Sequence, residues 1–344
     1  MSTPALQPAA VSPVSDAAGK ILDLQPVYAL VVRDFEAVNA LIPEQLTSDV
    51  SLVGDISKHI IESGGKRLRP LMVLLTTGAL AYEGDTHVKL AATIEFLHTA
   101  TLLHDDVVDH SGMRRGKVTA NERWGNAPSI LVGDFLYSRA FQMMVDIGSL
   151  EVMAILAEAT NTIAEGEVLQ LANIGNVATT EAEYREIIRC KTALLFQSAC
   201  HSAATLACDS THPHAGYLKR FGLHFGLAYQ LVDDWLDYMG DADTMGKNVG
   251  DDLSEGKLTL PLIYALEHAA PDDQERIKDA IANRRGAQLE EILDIVRTSG
   301  AIDYVARAIR TEADEALSCL DKLPNNPYVE ALKTLTRYST ARVF

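Results

Sequence analysis

"LLHDDVVDHSGMRRGK", residues 102–117, ends an apolar stretch with a cluster of charge. Three aspartates, Asp105, Asp106 and Asp109, fall within five residues, and two arginines follow them. Helical spacing puts Asp105 and Asp109 on one face together with His98, whereas Asp106 lies a quarter turn away. Like charges four residues apart destabilise a helix, and burying them without a partner is costly. The pattern therefore predicts a cation beside this helix end.

A second acidic cluster, "QLVDDWLD" at residues 230–237, also closes a long apolar helix. Its side chains Gln230, Asp233, Asp234 and Asp237 share a face. One such cluster is typical of a solvated helix end, but two clusters facing each other across a bundle would form a site for a hard cation. Mg²⁺ suits such a site, because it takes one or two carboxylates and fills its other positions with water and phosphate oxygens.

Apolar residues recur at three- and four-residue spacing along nearly the whole chain, and alternating β-branched runs are almost absent. This predicts an all-α fold, a single large bundle of about 10–13 helices around a central cavity. We expect helices at 28–41, 46–63, 69–82, 86–109, 127–147, 150–174, 181–207, 213–239, 259–269, 273–283, 287–298, 300–321 and 326–339. Ser149 and Thr180 suit helix N-caps, because each comes directly before apolar periodicity. Residues 1–26, rich in Ala, Pro, Ser and Gln, are expected to form a disordered extension, and residues 27–344 the helical domain.

Composition excludes several classes of protein. The 344 residues are 47% hydrophobic, enough for a large core, and a formal net charge of −17 argues against nucleic-acid binding. We find neither a secretory signal nor an apolar run of membrane-spanning length, and the four cysteines lack Cys-x-x-Cys spacing. A cytoplasmic protein with reduced thiols and no transmembrane segment is expected.

Basic residues complete the pattern, because they occur in four separate motifs. Each could be an ordinary surface group, but together they alternate with the acidic clusters. This arrangement fits a substrate that carries a diphosphate on a long hydrocarbon, with Mg²⁺ bridging the anions. The motifs contribute Gly65, Lys66 and Arg69; Arg114 and Arg115; Lys191 and Thr192; and Lys247 and Lys257.

The motifs "GGKRLRP", "EFLHTATLLHDDVVDHSGMRRGK", "KT" at Lys191, "QLVDDWLD" and "GKNVGDDLSEGKLTLP" resemble, in order and spacing, those of trans-polyprenyl diphosphate synthases. The resemblance spans residues 28–344. It implies head-to-tail prenyl transfer, in which isopentenyl diphosphate units are added to an allylic diphosphate, with farnesyl diphosphate as the expected primer. It is strongest to long-chain bacterial members, which implies an octaprenyl product for the side chain of a respiratory quinone such as ubiquinone. A homodimer is expected, and transient membrane contact during product release is left open.

The resemblance also implies a role for each matched residue, with Asp105, Asp109, Lys191 and Asp233 as the catalytic group. Magnesium would be held by Asp105 and Asp109 with Asp106 supporting, and from the other side by Asp233 with Asp234 and Asp237. The allylic diphosphate would be held by Arg114, Lys191, Thr192, Gln230, Lys247 and Lys257. Isopentenyl diphosphate would be held by Gly65, Lys66, Arg69, His98 and Arg115. Product length would depend on the small residues Ala100 and Thr101, with Met144 as one candidate for a deeper floor.

Four other interpretations are weighed against this one. The same chemistry could give another chain length, from geranylgeranyl to decaprenyl. A class I terpene cyclase would also use an aspartate-rich helix, but its second metal site normally has an Asn/Ser/Glu-type pattern, which "DDWLD" lacks. A non-catalytic subunit of a heteromeric synthase, or a purely structural helical protein, would not need both acidic clusters intact.

Overall fold

The computed structural model describes residues 13–15, 21–62, 64–239, 250–283, 289–341 and 343. The predicted all-α fold is confirmed. The α-helices of the described residues are α1 Gln25–Leu30, α2 Val32–Gln45, α3 Ser51–Glu62, α4 Leu68–Ala79, α5 Thr86–Val108, α6 Ala120–Trp124, α7 Asn126–Ile147, α8 Leu150–Asn173, α9 Glu181–Ile188, α10 Leu194–Ala207, α11 Pro213–Met239, α12 Asp251–Glu255, α13 Leu260–His268, α14 Pro271–Asn283, α15 Leu289–Thr298, α16 Ala301–Leu320 and α17 Pro327–Thr340. A π-helical turn, Arg189–Ala193, joins α9 to α10. Two antiparallel hairpins pair β1 Val14–Ser15 with β2 Ile21–Leu22, and β3 Met113–Arg114 with β4 Lys117–Val118.

Helix starts follow the sequence where a side chain can satisfy the free amide groups of the first turn. Thr180 and Glu183 form a reciprocal capping box at α9, and the hydroxyl of Ser149 accepts a hydrogen bond from the amide of Val152 at α8. Both cap residues were predicted from the sequence.

The long helices pack as one bundle. α5 packs on α7, and α11 packs on both α10 and α16. The larger apolar cluster fills the space between the N-terminal helices and α10, and the smaller one lies among α13–α16. α11 belongs to both clusters, with Phe225 in the first and Leu231 in the second. Its 27 residues, about 40 Å at 1.5 Å per residue, therefore tie the two halves of the core together.

The structure corrects the helix count, since the described residues contain 17 α-helices and not 10–13. Three of the additional helices, α1, α6 and α12, are only five or six residues long, too short to show a full apolar period. The helix predicted over 181–207 is interrupted by the π turn. At this turn α8 and α11 approach closely through two glycines, because a Cβ on Gly166 would lie 2.5 Å from the Cβ of Cys190, and one on Gly226 2.5 Å from the Cα of Ala193.

The predicted disordered segment 1–26 is only partly described. Within it, β1 and β2 pair, Leu22 and Leu24 are buried, and α1 already begins at Gln25. Residues 21–26 thus have defined structure, because apolar side chains there reach the core, and disorder of the extension as a whole stays a prediction. Across the part of the chain that the structure describes, no helix combines the length and apolarity needed to cross a bilayer.

Candidate active site

A cavity of about 510 Å³ contains both acidic clusters. Asp105 and Asp109 line it from the end of α5, and Asp233, Asp234 and Asp237 line it from α11. The expectation that the two clusters share one cavity is thus met. The remaining walls come from α4, α8, α9, the π turn, the β3–β4 hairpin and α12.

The first cluster faces two lysines. The ammonium of Lys191 lies 3.7 Å from Asp105, and that of Lys257 lies 3.1 Å from Asp109. Burial raises the pKa of Asp105, and the nearby Lys191 opposes this shift. Asp109 also raises the pKa of Asp105, so the pair of carboxylates attracts positive charge.

Asp106, which was expected to support the magnesium site, does not line this cavity. It is 1% exposed and accepts a hydrogen bond of 2.7 Å from the guanidinium of Arg114, while Asn121 donates to its backbone carbonyl. Arg114 itself lines the cavity. Asp106 therefore anchors an arginine of the site, and its support of a metal stays a prediction.

The three aspartates of the second cluster make different contacts. Asp234 is 3% exposed and accepts hydrogen bonds from the Tyr184 hydroxyl and, at 2.8 Å, from Gln230. Asp237 accepts from the first two amides of α12, so it holds that helix against α11. Burial raises the pKa of Asp234 to about 7 and that of Asp237 to about 6. Asp233 is the exposed member and projects into the cavity.

The π turn brings Lys191 and Thr192 into the cavity together. π-helical turns are often found at functional sites, where the extra residue in the turn redirects side chains. The hydroxyl of Thr192 donates to Gln230 at 2.6 Å, and Gln230 in turn donates to Asp234. A hydrogen-bonded row thus runs from the π turn to the second acidic cluster.

A basic group occupies the other end of the cavity. Arg69 donates to His98 at 3.1 Å and lies 4.2 Å above the ring of Phe196. Burial lowers the pKa of His98, and Arg69 and Arg115 lower it further, so its imidazole is neutral and accepts from Arg69. Arg115 also lines the cavity and donates to the carbonyl of Gly64.

Two arginines, Arg67 and Arg115, lie in loops with an unusual backbone. Arg67 in the "GGKR" loop and Arg115 in the β3–β4 turn have φ values of 46° and 53°. Non-glycine residues rarely adopt this left-handed region, and such residues concentrate at functional sites. Arg115 is followed by Gly116 with φ 74°, which is the pattern of a two-residue type I′ hairpin turn.

Some predicted residues do not line the cavity. Gly65 lies against the Arg115 guanidinium, and Lys66 has its ammonium 5.5 Å from the centre of the Tyr338 ring. Ala100 and Met144 are both fully buried in the larger apolar cluster, whereas Thr101 does line the cavity. Lys247 lies outside the described residues.

Sequence reasoning missed several residues of the cavity. Glu167 and Gln170 line it from α8, and Asp251, Asp252 and Glu255 from α12. The α12 residues belong to the motif "GKNVGDDLSEGKLTLP", in which only Lys247 and Lys257 were predicted to bind substrate. Glu167 and Gln170 had a weak signal, two polar side chains three residues apart on a mostly apolar helix.

The donor chemistry fits a divalent cation that the substrate helps to bind. Among the described residues, no three Asp, Glu, His or Cys side chains converge into a complete metal site. The carboxylates instead stand as partial sets on opposite sides of the cavity. Mg²⁺ normally takes one or two protein carboxylates and completes its shell with water and phosphate oxygens. The cavity therefore fits a divalent cation together with a phosphorylated ligand.

An all-α bundle whose cavity is lined by paired acidic clusters and basic side chains has the fold of an isoprenoid synthase. The polyprenyl synthetase family profile matches residues 50–298. Octaprenyl diphosphate synthase of Escherichia coli (strain K12) is 47% identical over 322 residues, 93% of this chain and 99% of that protein. All-trans-nonaprenyl-diphosphate synthase (geranyl-diphosphate specific) of Rhodobacter capsulatus is 47% identical, over 93% and 98% of the two chains.

Solved structures give the same result. The polyprenyl synthase of Caulobacter crescentus CB15, complexed with calcium and isoprenyl diphosphate, is 43% identical with a TM-score of 0.89, over 93% of this chain and 98% of that chain. This chain belongs to the polyprenyl synthetase family. Both the family inferred from the motifs and the expected enzyme class, a prenyltransferase, are confirmed.

Proposed function

We propose that the protein is a long-chain trans-polyprenyl diphosphate synthase whose main product is octaprenyl diphosphate. It adds isopentenyl diphosphate units to an allylic primer, farnesyl diphosphate, and uses Mg²⁺. The observation that carries the proposal is one cavity lined by both acidic clusters and by Arg69, Arg114, Arg115, Lys191 and Lys257. Two relatives at 47% identity are an octaprenyl and a nonaprenyl synthase, and they support a long product without defining its length.

The residues of the cavity divide between two anionic substrates. Lys191, Lys257 and Arg114 face the first acidic cluster and would stabilise the negative charge that develops on the departing allylic diphosphate. Arg69 and Arg115, at the other end, would bind isopentenyl diphosphate and hold its double bond near the allylic carbon.

Asp105, Asp109 and Asp233 would hold the magnesium, which when bound acts as a Lewis acid toward the leaving diphosphate. In the reaction, the allylic C–O bond breaks, the double-bond electrons of isopentenyl diphosphate form the new C–C bond, and a proton leaves. The neutral His98 already accepts a hydrogen bond from Arg69, so we assign the proton to the departing diphosphate.

The product test is direct. Purified protein is incubated with farnesyl diphosphate, isopentenyl diphosphate and Mg²⁺, and the dephosphorylated products are separated by chromatography. We expect an octaprenyl product. A product of another length would correct the chain length alone, whereas absence of any isopentenyl incorporation would refute the proposed activity.

Magnesium and diphosphate should stabilise the protein together more than separately. The described residues place only partial carboxylate sets at the cavity, so we expect Mg²⁺ alone to lack ligands and diphosphate alone to meet repulsion from the aspartates. A ligand at about 100 times its Kd adds about 2.7 kcal/mol to the free energy of unfolding. Thermal unfolding with each ligand and with both measures this coupling. Shifts that merely add would contradict the shared site.

The product-length proposal rests on Ala100 and Thr101. Thr101 lines the cavity and Ala100 is completely buried beside it on α5. We expect Ala100→Phe to shorten the main product by obstructing the path below Asp105. Chromatography of the products measures this, with circular dichroism to confirm folding. An unchanged product distribution from the folded variant would contradict the role of Ala100.

A homodimer is supported by an apolar surface on α7 and α8. On α7, Leu131 and Val145 are 66% and 63% exposed, and on α8 Val168 is 67% exposed. We expect Leu131→Glu to yield monomers in light scattering, because it places a charge on this apolar surface. Val50→Glu, at a 58% exposed valine outside α7 and α8, is the control. A monomeric wild-type protein would contradict the proposal.

Cytoplasmic location, supply of a quinone side chain and membrane contact during product release stay predictions. Fractionation of cells and quinone analysis after loss of the protein would test them.

A further inference from the structure

The ammonium of Lys191 is surrounded by acceptors from two helices. It lies 2.7 Å from a carboxylate oxygen of Glu167 and 2.8 Å from the amide oxygen of Gln170, both on α8. The carboxylate of Asp105, on α5, stands 3.7 Å away. An ammonium has three donors, and two of them are directed to α8.

The local structure of α8 makes these contacts possible. Glu167 and Gln170 are three residues apart, so they project from one face of the helix. The preceding Gly166 is buried against the π turn, where a Cβ would lie 2.5 Å from that of Cys190. The close approach of the two backbones brings both acceptors within reach of Lys191.

We propose that Glu167 and Gln170 are positioning residues, which hold the Lys191 ammonium beside Asp105 so that it meets the allylic diphosphate as that group departs. This inference rests on the proposed function. It adds two residues of α8 that none of the family motifs quoted above contains.

The physical reason is the flexibility of lysine. Its four-carbon side chain loses about 2 kcal/mol of rotamer entropy when it is fixed. Contacts with Glu167 and Gln170 fix it before substrate binds, so the charge is in place when the C–O bond breaks. Without Glu167, the Lys191 ammonium would keep only Gln170 and Asp105 as acceptors and would shift toward them. A displacement of about 1 Å can lower a rate about 100-fold.

The test measures kcat and KM for Glu167→Ala and Glu167→Gln. We expect Glu167→Ala to lower kcat by ~10–100-fold. The KM for isopentenyl diphosphate should not change, because that substrate binds at the opposite end of the cavity. Glu167→Gln keeps an acceptor oxygen and should restore most of the activity. Glu158→Ala, on the exposed face of the same helix, should match the wild type. A Glu167→Ala variant with wild-type kcat would overturn the inference.

A double-mutant cycle separates positioning from a general structural role. If Glu167 acts through Lys191, then Glu167→Ala should cause no further loss in a Lys191→Met background. Equal loss in both backgrounds would overturn the inference, as would a fall in kcat that tracks a lowered Tm. Single-turnover assays with excess enzyme measure the slow variants. Failure of the wild-type protein to transfer prenyl groups would refute the proposed function, whereas normal transfer with additive variants refutes the inference alone.

Discussion

Replacing Asp105 with asparagine should lower kcat by ~10²–10³-fold, the usual effect of removing one preorganised electrostatic group from an active site. Asp105 lines the cavity and lies 3.7 Å from Lys191, the side chain proposed to meet the departing diphosphate. Asparagine keeps the shape but cannot attract a divalent cation strongly. Single-turnover product formation at saturating Mg²⁺ measures the effect.

The control for this experiment is the same substitution on the surface. Asp146 is 65% exposed and pairs with Lys89 at 3.9 Å, a contact worth at most about 1 kcal/mol. Asp146→Asn should retain wild-type kcat. Both variants should unfold near the wild-type Tm, since burial already disfavours the charged form of Asp105. A folded Asp105→Asn variant with wild-type kcat would contradict the proposed role of the first acidic cluster in the reaction.

Gly226→Ala should destabilise the protein and slow the reaction together. In an isolated helix this change favours folding by about 1 kcal/mol. Here the new Cβ would lie 2.5 Å from the Cα of Ala193, in the π turn that carries Lys191 and Thr192. Overpacking against a backbone atom costs about 1–3 kcal/mol, because the neighbour cannot rotate away. We expect a lower Tm, by about 2–4 °C per kcal/mol, and a lower kcat.

Gly216→Ala provides a matched comparison on the same helix. Nothing lies within 4 Å of a Cβ at Gly216, so helix propensity alone should act and Tm should stay equal or rise. Differential scanning calorimetry and steady-state kinetics on the two variants give the comparison. If Gly226→Ala stabilises the protein as much as Gly216→Ala does, the conclusion that α11 packs closely against the π turn at Gly226 is wrong.

Most long helices could be predicted from the sequence, because their apolar spacing and caps are local properties. α8 and α11 were predicted within a residue at each end, and the Thr180 cap of α9 was predicted directly. The π turn could not be predicted, because it depends on Gly166 and Gly226 packing from two other helices. The short helices α6 and α12 contain too few residues for a period to emerge.

In the candidate site, too, some features follow from the sequence and others depend on tertiary contacts. The separation of Asp106 from Asp105 and Asp109 follows from 3.6 residues per turn. Its pairing with Arg114 does not, because that contact requires the reversal of the chain at Arg115 and Gly116.

Glu167 shows what spacing alone cannot reveal. Its partner Lys191 lies 24 residues further along the chain, and their contact exists only because α8 packs on the π turn. The sequence similarly predicts that Ala100 lies in a helix, but it does not predict which residues contact Ala100 across the core. Such contacts join elements distant in sequence, which no local pattern encodes.

From sequence alone came the helical class, the two aspartate clusters and the family, because side-chain type and helical period are read along the chain. The tertiary structure decided which carboxylates face the cavity, which are occupied by protein hydrogen bonds, and which acceptors hold Lys191. The reason is geometric: a helix determines which of its side chains share a face, but only the packing of other helices determines what that face meets.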